Sequence, residues 1–179
     1  DYYYYSRYDE GGEYPKFCRT RDVAQEGECY FDVAKAAAKH DYFDLGRVDL
    51  PDGGDVYAYT VDTTGRRFFD LYIVETKSGK TLDHKIEAIT SNFVWTPDGS
   101  SLFYVKQDAQ TLRWDRLYRY DLATKKSTLV YEEKDDTYYT YIYRSRTKRF
   151  FFVSLSSRMT DETLFIPVDN PTAAPQVVT

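Results

Sequence analysis

Leu102-Phe103-Tyr104-Val105-Lys106-Gln107-Asp108 decides the fold, because it recurs. Val56-Tyr57-Ala58-Tyr59-Thr60-Val61-Asp62 precedes it and Phe150-Phe151-Phe152-Val153-Ser154 follows it, so that Tyr59, Val105 and Val153 stand 46 and 48 residues apart. A second register agrees. Leu71-Tyr72-Ile73-Val74, Leu117-Tyr118-Arg119-Tyr120 and Leu164-Phe165-Ile166-Pro167 are spaced by 46 and 47 residues. Two independent registers with one period make an internal repeat, and a repeat is read before anything else.

Each period holds four strands. In the clearest one, Asn92 to Trp95 leads into the turn Thr96-Pro97-Asp98-Gly99, where Pro presets φ and Gly accepts a positive one. Leu102–Gln107, Arg116–Asp121 and Ser127–Glu132 follow, with a turn at Thr124-Lys125-Lys126 between the last two. The repeat before it copies the pattern with Pro51-Asp52-Gly53-Gly54 and Lys77-Ser78-Gly79-Lys80. In the repeat after it, Arg144–Arg149 replaces the Pro-Asp-Gly turn and Pro171 sits in the last one. Tyr2–Arg7, Tyr14–Thr20 and Glu28–Phe31 make three strands of one more unit, and Asp32 can cap a short helix over 33–39. Four strands per roughly 40–50 residues is the pattern of a β-propeller blade. The expected architecture is all-β: a partial β-propeller forming a single domain over 1–179, with blades near 1–31, 44–90, 92–134 and 138–179. Three blades are complete. The first lacks the strand before Tyr2, which leaves an open arc with two raw faces.

Composition agrees and excludes several classes. With 19 Tyr and 11 Phe against 1 Met, the aromatics favour strands and packed slabs. A net charge of −5 argues against nucleic acid or anionic lipid as partners. No run approaches the roughly 18 apolar residues of a membrane span. The opening Asp1-Tyr2-Tyr3-Tyr4-Tyr5 carries neither an initiating Met nor a signal sequence, and reads as a piece of something longer.

Chemistry-bearing motifs are few. There is no Gly-x-Ser-x-Gly elbow, and His40 and His84 alone could serve as a base, so no catalytic residue is assigned. Phosphate-binding glycine motifs are missing, and no cofactor is expected. Cys18 and Cys29, on successive strands of one hairpin, read as two half-buried thiols of a cytoplasmic protein, with a cross-strand disulfide as the alternative. A zinc site would lack two ligands. Asp49, Asp52 and Asp55 have the look of a calcium loop, but Asp at turns ordinarily bonds local backbone, and no metal site is assigned. The basic run Arg144, Arg146, Lys148, Arg149 reads as a solvated turn. Propellers bind through loops, so the acidic interblade segment Glu132-Glu133-Lys134-Asp135-Asp136 is the one place that could draw a basic peptide. Glu132, Glu133, Asp135 and Asp136, with Arg66 and Arg67 of another loop, are the peptide-steering or interface candidates.

Several strings resemble a known family. Tyr2-Tyr3-Tyr4-Tyr5-Ser6-Arg7-Tyr8 with Glu13-Tyr14-Pro15, His40-Asp41-Tyr42-Phe43, Tyr59 to Arg67, Leu102 to Val105, Gln110-Thr111-Leu112-Arg113, and Val130-Tyr131-Glu132-Glu133-Lys134-Asp135 are similar to the early propeller strands of the oligopeptidase B branch of the prolyl oligopeptidase superfamily of serine peptidases. The resemblance implies a seven-bladed propeller capping an α/β-hydrolase domain that carries Ser, Asp and His. It also implies exclusion of all but short peptides, with cleavage after Arg or Lys. None of the triad residues has a counterpart here, so the chain alone is expected to be inactive. Its partners would be the catalytic domain and the remaining blades of the parent, with short basic peptides as the parent's substrates. The competing reading is a non-catalytic module that binds a peptide, or a second copy of itself, along an open blade edge. A glycan-binding face built from surface Tyr is a weaker third.

Overall fold

The computed structural model describes residues 2–178. Asp1 and Thr179, the outermost positions of the expected end blades, lie outside the described residues. The first sheet holds β1 (Tyr3–Tyr8), β2 (Pro15–Thr20) and β3 (Glu28–Asp32). A one-turn helix α1 (Val33–Ala37) follows, with the Asp32 carboxylate accepting from Lys35 N at its start. The second sheet runs β4 (Asp44–Asp49), β5 (Val56–Asp62), β6 (Phe69–Glu75), β7 (Thr81–Ile89). The third runs β8 (Phe93–Trp95), β9 (Ser101–Gln107), β10 (Trp114–Asp121), β11 (Lys126–Glu132). The fourth runs β12 (Tyr139–Arg144), β13 (Phe150–Ser156), β14 (Asp161–Pro167), β15 (Gln176–Val177). All four are antiparallel meanders, each strand paired with its sequence neighbour. The chain is an arc of four β-propeller blades.

The turns explain why each meander closes. Gly54 and Gly99 have φ of 66° and 70° in the two Pro-Asp-Gly turns, where a Cβ-bearing residue would be strained. In the fourth blade the corresponding turn is held by Ser145, whose hydroxyl accepts from Arg149 N and Phe150 N, with Lys148 at φ 57°.

Aromatic and aliphatic side chains fill the gaps between blades. The fourth strand of one blade packs on the second strand of the next: Ile86 and Ile89 of β7 share a cluster with Leu102 and Tyr104 of β9. Phe93 and Trp95 of β8 complete that layer against Leu71 and Ile73 of β6. Between the third and fourth blades, Phe103, Val105 and Leu117 meet Ile142, Phe151 and Val153. The middle strand β9 is buried at nearly every position because it is covered on both faces, whereas β12 alternates. Tyr139, Tyr141 and Tyr143 of β12 are exposed, and Tyr141 lies against Trp114 of the third blade with ring centroids 5.0 Å apart. Gly46 marks a close approach: a Cβ there would come within 2.5 Å of Ser91 Cβ and 2.7 Å of Thr60 Oγ1.

Packing also assigns the strands of the first blade. Phe31 of β3 lies on Tyr57 and Tyr59 of β5, with ring centroids 5.4 and 4.8 Å apart. This repeats the packing of β7 on β9, so β3 is a fourth strand and β1 a second one. Among the described residues, the first sheet therefore lacks an innermost strand.

Hydrogen bonds tie the inner strands together. Trp95 Nε1 donates to Asp49 O across the second and third blades at 3.2 Å. Asn92 grips one peptide of the fourth blade from both sides, its Nδ2 donating to Ile142 O (3.1 Å) and its Oδ1 accepting from Ile142 N (2.7 Å).

One expectation is corrected. Cys18 and Cys29 are not free thiols but a disulfide, with S–S 2.01 Å. A register shift beside Phe17 sets Cys18 directly opposite Cys29 on β3, and facing positions on paired strands bring their Cβ atoms within bonding range. The argument from free thiols to a reducing compartment loses its basis.

Candidate functional site on the loop face of the arc

In a four-stranded meander, the loops joining strands two and three share an end with those joining one blade to the next. Arg66 and Arg67 (between β5 and β6), residues 108–113, the acidic segment 132–136 and residues 157–160 therefore lie on one face of the arc. Arg66 and Arg67 are exposed. The Arg67 backbone is fixed: its N donates to Asp62 Oδ2 (2.7 Å) and its O accepts from Gln107 Nε2 (2.7 Å).

The four acidic candidates separate by environment. Glu133 is buried, and its carboxylate accepts from Tyr131 Oη (2.7 Å) and Asp135 N (2.8 Å), so it braces the loop. Burial, and then the adjacent Glu133, push the Tyr131 hydroxyl well above its ordinary range. Glu132 is exposed and pairs with Lys134, whose hydrogen bond lowers its pKa. Asp135 is exposed but accepts from Thr137 Oγ1 (2.7 Å) and Thr137 N (2.9 Å), which lower its pKa in that order. Asp136 is exposed and, of the four, carries no side-chain hydrogen bond or ion pair.

Arg113 sets the shape of this loop. Its guanidinium donates to the carbonyls of Asp135 (3.0 Å), Tyr138 (3.2 Å) and Glu133 (3.2 Å), and stands 3.8 Å from Asp115. Nothing in the local pattern around Arg113 signals this role, because its three acceptors lie 20 or more residues away. The held loop forms one wall of a cavity of about 760 Å³, lined by Asp135, Asp136, Tyr138 and Tyr139 and closed across by Ser157 to Thr160. Tyr138 Oη and Thr160 Oγ1, 2.6 Å apart, join the two walls. The cavity thus sets two carboxylates and aromatic rings on one wall across from Arg158 on the other, and the carboxylate wall suits a cationic group on an apolar stem. Glu132 and the two arginines are not among its lining residues.

The opposite face holds a larger cavity of about 920 Å³, near the axis, between β1, β4 and residues Arg144 and Lys148. The would-be calcium aspartates diverge there. Asp49 Oδ1 accepts from Leu50 N (3.0 Å), and burial raises its pKa. Burial opposes ionisation of Asp52, but Arg144 (2.7 Å) and Lys148 (3.3 Å) outweigh it and hold its carboxyl below the usual range. Two members of the basic run are thus an ion cluster rather than free charge. His84 Nδ1 lies 2.9 Å from Tyr120 Oη, and desolvation lowers its pKa; His40 lies against Phe43. Among the described residues, neither ring has a serine or cysteine as a hydrogen-bond partner.

Comparison with known proteins agrees with this architecture. Dipeptidyl aminopeptidase BI of Pseudoxanthomonas mexicana is 31% identical over 188 aligned positions, covering 95% of this chain and 26% of that protein. Protease 2 of Moraxella lacunata is 28% identical, covering 99% of this chain and 27% of its own length. The chain spans about a quarter of each of these relatives. Oligopeptidase B from Leishmania major superposes with a TM-score of 0.88 at 24% identity, over 99% of this chain and 26% of that one. Residues 1–179 match the family described as prolyl oligopeptidase, N-terminal β-propeller domain. An arc of β-propeller blades with these relatives along its whole length belongs to the prolyl oligopeptidase N-terminal β-propeller family.

Proposed function

We propose that the chain is part of the gating wall of a serine oligopeptidase that cleaves short peptides after basic residues, and that the nucleophile belongs to a hydrolase domain outside these residues. The observation that carries this reading is the loop-face cavity, where Asp135 and Asp136 sit beside Tyr138 and Tyr139. Negative charge at a concave mouth raises the local concentration of a basic peptide, while packed blades exclude a folded chain. Asp136 is the useful probe because its carboxylate has no structural duty. In the complete enzyme, Asp136→Asn lowers kcat/KM for an Arg-containing peptide by about 2–5-fold at low salt and leaves kcat unchanged. The difference closes at high ionic strength. An equal loss on a neutral peptide, or one that persists in high salt, would refute steering. The 179 residues alone hydrolyse nothing.

Exposed Tyr139, Tyr141 and Tyr143 favour a second reading, self-association through the fourth blade. A molar mass that rises with concentration would support it.

A further inference from the structure

The turn between β4 and β5, Pro51-Asp52-Gly53-Gly54, touches each of the other three blades at the axial end of the arc. Towards the first blade, Gly54 O accepts from Arg19 Nη1 at 2.8 Å. Towards the third, Asp52 N donates to Pro97 O at 3.1 Å, and Pro51 lies against Gly99, where an added Cβ would stand 3.2 Å from Pro51 Cγ. Towards the fourth, Asp52 Oδ1 takes Arg144 Nη2 at 2.7 Å and Lys148 Nζ at 3.3 Å. The second and fourth blades are not neighbours, since the apolar clusters join second to third and third to fourth. The ion pairs therefore form a chord across the third blade, between positions 92 residues apart in sequence.

Two features make this chord easy to release. Both cations converge on one carboxylate oxygen, so Arg144 and Lys148 repel each other wherever Asp52 does not neutralise them. Arg144 Nη1 is buried with no hydrogen-bond partner, and hydration recovers that unmatched donor once the side chain swings out. Salt also reaches the pairs, because the side chains of Asp52 and Lys148 are 36% and 60% exposed. The apolar seams between blades have no such sensitivity to screening.

We infer that Asp52, Arg144 and Lys148 form a salt-releasable strap, which ties the inner turn of the fourth blade to the second blade when closed and frees that turn when open. Closed, it holds the third blade between its neighbours at the axial end. Open, the blades stay joined through their apolar seams while the turn at 145–149 moves independently. The strap lies on the face opposite the acidic cavity, so it owes nothing to peptide steering.

Hydrogen–deuterium exchange of the Ser145 and Lys148 amides reads the strap, because both donate within that turn, to Phe150 O and Ser145 O. The protein to use is the full-length polypeptide that contains these residues. Raising salt from about 0.05 to about 1 M should speed exchange at both amides about 5–10-fold. Asp52→Asn should reach the same rate at low salt and abolish the salt response. Arg144→Met placed on top of Asp52→Asn should add nothing, since both cut one chord. The Val105 amide, bonded to Asn92 O inside the third blade, should keep its rate throughout. Exchange at Ser145 and Lys148 that ignores salt in the unmutated protein overturns the strap. So do two substitutions whose effects add, or an equal rise at Val105, which would signal general loss of stability. Peptide hydrolysis is not a readout, so the gating proposal stands or falls separately.

Discussion

Replacing Asn92 by Ala should cost the arc far more than the loss of one half-buried polar side chain suggests. Asn92 donates to Ile142 O at 3.1 Å and accepts from Ile142 N at 2.7 Å, and Ile142 is 1% exposed. Ala removes both partners at once and leaves a backbone donor and acceptor unmatched between the third and fourth blades. Each unmatched buried group costs about 1–3 kcal/mol, and partial water access at Asn92 discounts the sum to about 2–4 kcal/mol. With a urea slope of about 2 kcal/mol/M, the unfolding midpoint falls by about 1–2 M with the slope unchanged. Asn92→Asp sharpens the test, since it keeps the acceptor for Ile142 N but turns an oxygen towards Ile142 O. It should destabilise at neutral pH and recover in part below about pH 4, where a protonated carboxyl donates again. An Ala variant within about 0.5 kcal/mol of the unmutated chain, or an Asp variant equal to Asn at neutral pH, would refute the brace.

Two further outcomes follow from the loops. Asp62 accepts from Thr64 N, Gly65 N, Arg67 N and Thr64 Oγ1, and these bonds outweigh burial and depress its pKa. A depressed folded pKa means stability present above the unfolded value of about 3.9 and lost as pH falls through the folded one, so Asp62→Asn should flatten the acid limb of a stability–pH curve below about pH 4. An unchanged limb would show that the carboxylate is not the titrating group. The Cys18–Cys29 bridge closes a sequence separation of 11 residues, and Cys18→Ser with Cys29→Ser should lower stability by about 2–3 kcal/mol. Alkylation without reductant should label neither cysteine, and labelling of both would restore the free-thiol reading.

The blades were legible because their signals are local. Pro51-Asp52-Gly53 and Thr96-Pro97-Asp98-Gly99 announce turns by residue type, and the recurring aromatic strands keep one period. Features that depend on distant partners were not legible. Asn92 reaches a peptide 50 residues ahead, and Arg113 reaches carbonyls 20 to 25 residues ahead. Neither residue type announces its target. Glu133 reads from sequence as one more charge in an acidic run, and only the fold turns it inward to Tyr131 and Asp135 N. The disulfide hid for a similar reason: strand spacing brings Cys18 and Cys29 to one hairpin, but the register shift beside Phe17 decides that they face each other.

Arg113 takes its hold on the acidic loop entirely through main-chain oxygens of Glu133, Asp135 and Tyr138. Its grip is blind to what most of that loop's outward side chains are. Charge at 136 can therefore be reversed, diluted or removed while the loop keeps its path. In a lineage, this uncouples the conformation of the cavity wall from its preference. A designer could rewrite that position as freely as a dial is turned, with Arg113 and Glu133 as the fixed mount.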